Sequence, residues 1–473
     1  MWWIIAKREF TDLSRDGHVR WSGLTLSTLL LVALATGWHQ QQAVTGEQAS
    51  AARMVRETWL AQPPKDPHSA AHYGAYLFKP RQPLGLIDIG VSNYTGVAVW
   101  LEAHRQNEFL FRPAQDQTAV ARFIEFTVAG ALQVLVPVLI ALLVHTRLAG
   151  ERESGTLRQL VASGVRPATL VAGKGVGVGL ALGVWLVPLA TIGSAALLVS
   201  AGVAPALVDA ARYASLAAAY LAYFAVVTLV GLAVTARART AGIALATLVV
   251  FWAVTSFVVP RAVSGLARTW YPTPSAFAFA QRVDRDTYDG LTVHDWFARR
   301  AADYRRTLLA QYNVSRLEDL PVNYRGVEYL NREDETNVVW DRHYGALWAA
   351  FDSQTRVHQF GGFASPMLAV RSLSMGLAGA DVFHHRHFAQ AAEAYRRRMV
   401  QAMNGELAYG STSADLNYRG GADLWARVPS FTYAPPTLRV TLIEQRWGVA
   451  SLAAWAAGAL LLALAATRAL RVE

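Results

Sequence analysis

The sequence has no cysteine among its 473 residues, and only 16 % of its residues are charged. The absence of cysteine excludes disulfide bonds and thiol catalysis. The sequence also lacks a nucleotide-binding loop of the form G-x-x-x-x-G-K-[ST], whose backbone amides would cradle a phosphate. The nearest stretch is "AGKGVGVGLALG", in which Gly175 follows Lys174 and position 168 is alanine. These glycines are instead predicted to serve close helix packing.

Ionisable residues are missing from the middle of the long apolar runs, where an ion-coupled carrier would need them. Glu125, Asp209 and Arg212 all lie near the ends of such runs. The runs also contain no Ser/His pair, acidic pair or H-E-x-x-H motif, which argues against intramembrane proteolysis. We therefore expect no catalytic site and no cofactor in this chain.

Hydrophobic residues make up 53 % of the chain, and they cluster. Six runs come close to the ~20 residues needed to cross ~30 Å of hydrocarbon. These predicted spans cover about residues 21–38, 123–145, 176–201, 213–234, 241–259 and 447–466. The sequence therefore predicts an all-α polytopic membrane protein with six transmembrane helices. Its expected segments are an interfacial helix (1–20), the first span (21–38), a first insert (39–121), spans two to five (122–260), a second insert (261–445), the sixth span (446–467) and a tail (468–473).

The amino-terminal stretch "MWWIIAKREFTDLSRDGHVRW" mixes aromatic and basic residues, among them Trp2, Trp3, Lys7 and Arg8. This pattern predicts an amphipathic helix that lies in the membrane interface and contacts lipids. A short solvated helix before the first span is the alternative.

Basic residues mark the connections that should face the cytoplasm. They concentrate in the amino-terminal segment, the 146–175 connection, the "ARART" turn and the tail, whereas "AGVAPALVD" has none. Both termini are therefore predicted to be cytoplasmic, with both inserts outside. A basic excess is what cytoplasmic loops of membrane proteins carry, so the net charge of +10 does not call for a nucleic-acid partner and none is expected.

The first insert is predicted to be mixed in secondary structure, with "LGLIDIGV" as a candidate strand. The second insert is predicted to be mainly helical. Ser365 and Pro366 are typical of a helix start, and Asp381 is expected to cap the next helix. Residues 410–440 are expected to return irregularly to the sixth span.

Two groups of residues have spacings that could hold a metal ion. The first group is Asp381, His384, His385 and His387, in which i,i+3 and i,i+4 pairs share a helix face. The second and looser group is His68, His72, Glu102 and His104. Surface or cap-forming histidines are the alternative interpretation, and we expect no metal at either place.

The connection "AGERESGTLRQLVASG", residues 149–164, combines acidic and basic residues with a Gly-Thr pair. Leu157, Leu160 and Val161 would share one helix face. Because a loop that only sets topology needs no more than Lys and Arg, this pattern favours a short helix parallel to the membrane that docks into a groove of a soluble partner. A basic loop that only sets topology is the alternative.

The longer stretch "ERESGTLRQLVASGVRPATLVAGK" resembles the segment after the second span of type-2 ABC-exporter permeases. In that family the segment is the coupling helix, which rests on an ATPase subunit. The resemblance also covers the six-span layout and the interfacial helix. It implies an ATPase-coupling role for the positions that match the pattern: Glu151, Arg152, Glu153, Gly155, Thr156, Leu157, Leu160 and Lys174.

The inserts look like those of a bacterial subgroup with a large uncharacterised extracytoplasmic domain, distantly similar to the permease of nitrous-oxide-reductase maturation. The resemblance implies a bacterial inner-membrane location, a partner ATPase that binds ATP and magnesium, and a homodimer or a sister permease. Ordinary type-2 permeases lack such inserts, so their substrates do not carry over.

Two further functions remain open at this point. One is a force transmitter or scaffold for a periplasmic maturation partner, without solute transport. The other is a membrane-anchored sensor or metal-binding protein that has no ATPase.

Overall fold

The computed structural model describes residues 1–118, 126–201 and 203–470. Six helices in this part of the chain are long and apolar enough to cross a membrane, as predicted for a polytopic protein. We number them spans 1 to 6: Gly17–Leu60, Val128–Glu153, Pro167–Val199, Asp209–Arg237, Ala241–Trp270 and Arg446–Arg468. The expected start of the second span at residue 123, and Glu125 within it, lie outside the described residues, as do residues 471–473 of the tail.

Shorter helices flank the spans and fill the inserts, and one of them, Ala149–Glu153, forms the end of span 2 after turns at residues 145–148. They are Trp2–Arg15, Pro67–Tyr73, Ala149–Glu153, Thr156–Ala162, Ala276–Thr287, Val293–Gln311, Tyr324–Gly361, Pro366–Leu377, Val382–Tyr409, Ala422–Arg427 and Leu438–Glu444, with 3-10 turns at Pro83–Leu86, Pro113–Gln115 and Leu317–Asp319. The strands are Ala75–Phe78, Ala98–Glu102 and Arg105–Leu110.

Span 1 is much longer than the apolar run that predicted it. Its helix begins after Asp16, whose Oδ1 accepts from the backbone N–H of His18 at 2.8 Å, and continues for 44 residues. At 1.5 Å per residue this is about 66 Å, roughly twice the thickness of a hydrocarbon core. Residues 39–60, expected to belong to the first insert, therefore continue the helix out of the bundle.

Two other spans also exceed their predicted ranges. The helix of span 3 begins at Pro167 rather than at residue 176. Span 5 continues past residue 259 to Trp270, through a π-helical turn at Val254–Val258 that is followed by Pro260. The first ten residues assigned to the second insert are thus helical extensions of a span.

The amino-terminal helix Trp2–Arg15 packs directly on the start of span 3. A Cβ atom on Gly173 would lie 2.7 Å from the Cβ of Ile5, and one on Gly177 would lie 2.5 Å from the Cβ of Glu9. Real Cβ atoms do not approach so closely, so only glycine permits this contact. The interpretation as packing residues is confirmed for Gly173 and Gly177, whereas a Cβ atom on Gly179 would meet nothing within 4 Å among the described residues.

Span 4 is the central helix and packs against spans 2, 3, 5 and 6. A small apolar cluster joins the amino-terminal helix, the 149–164 connection and the ends of spans 3, 4 and 6 through residues such as Ile5, Leu157, Leu170, Leu232 and Ala466. The basic connections therefore lie at one end of the bundle, which we call the basic end.

The two inserts pack together into one unit, which we call the insert body (residues 39–118 and 271–445). Its antiparallel sheet pairs Ala75 with Leu101 and Val99 with Phe109. The sheet covers helix Val382–Tyr409 through Val99 and Phe388. Trp59, near the end of span 1, donates from Nε1 to the carbonyl of Trp425 at 3.0 Å. Span 1 is thus anchored in the core of the insert body.

The strand predicted at "LGLIDIGV" is wrong, because these residues form a 3-10 turn and further turns. Leu84, Leu86, Ile87 and Ile89 are all buried, so the alternation expected of a half-exposed strand is absent. The strands lie instead in "AVWLEAHRQNEFLF", within residues 98–110, and at residues 75–78.

Helix Pro366–Leu377 begins as predicted, since the side chain of Ser365 accepts from the N–H of Leu368 at 3.2 Å. Its location is unexpected. Although it belongs to the second insert, it packs against spans 4 and 6 and the π-helical turn of span 5. Leu373 and Leu377 are buried in the same core as Ile140 and Tyr223 of the bundle. The helix is therefore wedged among the spans.

Candidate functional site

The 149–164 connection is two short helices rather than the single helix predicted. Ala149–Glu153 and Thr156–Ala162 are separated at Ser154 and Gly155. Gly155 has φ of +76°, a left-handed conformation that favours glycine and breaks a right-handed helix. The Gly-Thr pair of the motif thus creates a corner.

Glu151 holds the connection to span 3. Its Oε1 lies 2.8 Å from Nζ of Lys174, which is 3 % exposed. The same ammonium lies 3.0 Å from Glu9 of the amino-terminal helix. Glu9 also accepts from Arg147 at 2.9 Å. Four charges of balanced sign therefore join three segments at the basic end.

Arg152 and Glu153 bind the facing ends of two further spans. The guanidinium of Arg152 donates to the carbonyls of Ala236 and Ala238, at 2.7 Å each, where the helix of span 4 ends. Glu153 accepts from the N–H of Ala241 at 3.3 Å, where span 5 begins. A cation at a helix carboxyl end and an anion at a helix amino end both complement the helix dipole.

The apolar face of the connection points into the protein. Leu157 is 3 % exposed, and Leu160 and Val161 pack partly buried against the cluster of the basic end. The exposed surface is polar instead. It consists of Glu153, Ser154, Gly155, Thr156, Arg158, Gln159, Ala162, Ser163 and Gly164.

The four residues of the first candidate metal group do not converge on one point. His384 Nδ1 lies 2.6 Å from Asp381 Oδ1, and Gln445 donates to the other oxygen of Asp381 at 2.8 Å. His385 instead faces Lys79, with 3.5 Å between Nδ1 and Nζ, and His387 faces the hydroxyl of Tyr433. Burial, followed by the charge of Lys79, lowers the pKa of His385 to about 3. Asp381 does cap its helix as predicted.

The second predicted group is assembled in part. The Nε2 atoms of His72 and His104 lie 3.1 Å and 3.3 Å from Nε2 of His68. His68 is buried, His104 is half-buried and His72 is exposed. Burial lowers the pKa of His68 to about 3. Glu102 does not join the three histidines within the described residues, and its Oε1 accepts from Asn107 at 2.9 Å.

A buried polar chain that the sequence did not indicate crosses from the spans to the insert body. Gln133 of span 2 donates to the hydroxyl of Tyr220 in span 4 at 3.1 Å. That hydroxyl lies 2.9 Å from Ser374 Oγ, and Ser374 donates to Asp88 at 2.5 Å. Burial raises the pKa of Asp88. Asp88 escaped notice because it lies in the first insert, far from Ser374 in the sequence.

Residues 276–434 match a family described as a domain of unknown function, DUF3526. The match lies wholly within the second insert and includes helices Tyr324–Gly361, Pro366–Leu377 and Val382–Tyr409. No curated protein and no solved structure matches this chain.

Proposed function

We propose that this chain is the membrane-spanning subunit of an ATP-driven complex in a bacterial inner membrane. ATP and magnesium would bind a separate ATPase subunit seated under the 149–164 connection, on the cytoplasmic side. The chain would act as a homodimer or with a sister permease, because a six-span half does not usually enclose a two-fold pathway alone.

One observation carries this proposal: three consecutive residues each hold a different span. Glu151 binds Lys174 of span 3, Arg152 binds the end of span 4, and Glu153 binds the start of span 5. A push on the exposed face of this connection would reach three spans without an intervening flexible linker. This arrangement suits a segment that a soluble partner moves and that passes the movement to the spans.

A second candidate keeps the ATPase but moves no solute, and the wedged helix Pro366–Leu377 favours it. This helix joins the insert body to spans 4, 5 and 6, so tilting of the spans would deform the insert body directly. In this case the separate ATPase subunit would hydrolyse ATP, and this chain would pass the resulting motion to a periplasmic partner. Vesicle uptake assays separate the two candidates, since only an exporter accumulates solute.

The experiment is co-purification of the full chain with an ATPase co-expressed from a neighbouring gene. Thr156 and Gln159 are exposed on the connection, so T156R/Q159R should abolish co-purification while leaving the fold intact. Gln311→Arg, an equally exposed change in the insert body, is the matched control and should have no effect. A complex that survives T156R/Q159R would refute the proposed docking surface.

An anchor variant tests transmission separately from docking. Arg152→Ala removes the hydrogen bonds to the end of span 4 but leaves the exposed face unchanged. We expect the ATPase to remain bound while its stimulation by the membrane subunit is lost. Full stimulation in R152A would contradict transmission through this residue.

A further inference from the structure

Three histidine nitrogens converge on one point of the insert body. His68 and His72 share a face of helix Pro67–Tyr73 at i,i+4 spacing, and His104 lies in the turn between the second and third strands. Their closest atoms are all Nε2, at 3.1 Å and 3.3 Å from that of His68. His104 has φ of +66°, an uncommon backbone conformation for a non-glycine residue that recurs at functional sites.

Neighbouring groups decide which nitrogen of each buried ring carries the proton. Nδ1 of His68 lies 2.8 Å from Oδ1 of Asn404, an atom that only accepts, so this ring is protonated at Nδ1. Nδ1 of His104 makes no hydrogen bond of good geometry, but it lies 2.5 Å from Oε1 of Glu333, and an unprotonated Nδ1 would set a lone pair against that carboxylate, so this ring also carries its proton at Nδ1. Both Nε2 atoms therefore present lone pairs to each other.

Two lone pairs 3.3 Å apart repel each other unless a positive centre lies between them. A proton shared between His68 and either neighbour bridges only two of the three nitrogens. A cation bound to all three nitrogens would satisfy every lone pair at once. The two distances to His68 Nε2 suit this, because bonds of about 2.0–2.1 Å in a tetrahedral zinc site separate the nitrogens by about 3.3–3.4 Å, and all three nitrogens lie within 4.8 Å of one another.

We infer that His68, His72 and His104 bind a single zinc ion through their Nε2 atoms. Imidazole nitrogens are preferred zinc ligands, and a three-histidine set leaves a fourth tetrahedral position open. Because His72 is exposed, that position faces the surface and is accessible to water or to a donor from a partner.

The surroundings of the three rings resemble the outer shell of a metal centre. Glu333 contacts the Nδ1 of His104 and also pairs with Arg396 at 3.2 Å, and such a carboxylate fixes the ring and raises its basicity. The ring of Tyr329 stacks on His68 with 3.6 Å between centroids. All three ligands belong to the first insert, and Glu333 and Asn404 would connect the site to helices Tyr324–Gly361 and Val382–Tyr409. This inference does not depend on the proposed ATPase.

The test is zinc titration by calorimetry on the full chain, purified without a histidine tag and stripped with chelator. We expect one Zn²⁺ per chain in the wild type. His72→Ala removes an exposed ligand and should weaken binding by more than about 100-fold, since loss of an outer-shell partner alone costs about 10–100-fold. His294→Ala, an exposed histidine of helix Val293–Gln311, is the matched control and should bind like the wild type.

Two further variants keep the test decisive if one variant folds poorly. His104→Asn removes a ligand but retains a residue that tolerates positive φ, and it should lose binding as His72→Ala does. Glu333→Gln should bind about 10–100-fold more weakly, as expected of a positioning residue. Cobalt(II) in place of zinc should give the intense visible bands of a tetrahedral site. No stoichiometric zinc in the wild type, unchanged affinity in both His72→Ala and His104→Asn, or an octahedral cobalt spectrum would overturn the inference.

Discussion

Replacing Lys174 by methionine should destabilise the basic end more than any exposed charge change. The ammonium of Lys174 is 3 % exposed and contacts Glu9 at 3.0 Å and Glu151 at 2.8 Å. Methionine has a similar length, so the substitution removes the charge without opening a large cavity. It leaves Glu9 paired with the guanidinium of Arg147 at 2.9 Å and removes the Lys174 partner of Glu151.

The expected loss can be worked out from these contacts. Breaking a buried ion pair by removing one partner costs about 3–5 kcal/mol. Glu9 keeps Arg147, and the side chain of Glu151 is 25 % exposed and can regain water. The lower limit, about 3 kcal/mol, therefore applies, and it agrees with the loss of two charge-assisted hydrogen bonds at about 1.5 kcal/mol each. Glu151→Gln alone should cost about 1 kcal/mol because that group is partly hydrated.

Equilibrium unfolding in mixed detergent micelles, followed by tryptophan fluorescence, measures these free energies. Lys7→Met is the matched control, since Lys7 is exposed on the amino-terminal helix that carries Glu9. This substitution should change the free energy of unfolding by no more than about 0.5 kcal/mol. The double variant E151Q/K174M should recover about 1 kcal/mol relative to the sum of the single changes. A K174M protein within about 1 kcal/mol of the wild type, or strict additivity with E151Q, would refute this account.

Three other changes test separate parts of the structure by thermal or chemical unfolding. Gly177→Leu should lower the free energy of unfolding by at least about 1–3 kcal/mol, because the new side chain pushes the amino-terminal helix off span 3. Gly179→Leu should leave it unchanged, because a Cβ atom there would meet nothing within 4 Å among the described residues. His385 has a folded-state pKa near 3 against 6.5 when unfolded, so the unfolded chain binds more protons as pH falls below 6.5 and stability declines. Between pH 7 and pH 5 the wild type should lose about 2 kcal/mol more than His385→Gln, and equal slopes would contradict this. Asp88→Ala should cost about 2–3 kcal/mol by stranding the hydroxyl of Ser374, whereas Asp88→Asn, which can still accept, should cost less than half of that.

Local features of the fold could be predicted from the sequence, because their causes lie within a few residues. Apolar runs long enough to cross a bilayer indicated the six spans, and side-chain caps at Ser365 and Asp381 indicated two helix starts. The full length of span 1 could also be predicted locally, from the positions of proline rather than from hydropathy. No proline interrupts the chain between Gly17 and Leu60, and the pair Pro63–Pro64 follows after two further residues.

The candidate sites depended on contacts that no local pattern contains. The helix bearing His68 and His72 was foreshadowed by "DPHSAAHY", with Asp66 as cap and Pro67 in the first turn. The convergence of these rings with His104 needs the hairpin turn to pack beside them, and Glu333 comes from more than two hundred residues away. The inward direction of Leu157 likewise follows from the positions of Leu170 and Leu232 in other spans.

One continuous helix, span 1, connects the insert body to the basic end, where we propose that the ATPase acts. Lys174 binds Glu9 of the amino-terminal helix, and Asp16 then caps the start of span 1 almost immediately after that helix ends. From Gly17 to Trp59 span 1 has no break in its helix, a distance of about 63 Å at 1.5 Å per residue. A tilt of about 5° at the basic end would move Trp59 by about 5 Å if the rod stays straight. Because Trp59 is hydrogen-bonded to Trp425 in the close-packed core of the insert body, we expect a displacement of this size to move the insert body as well.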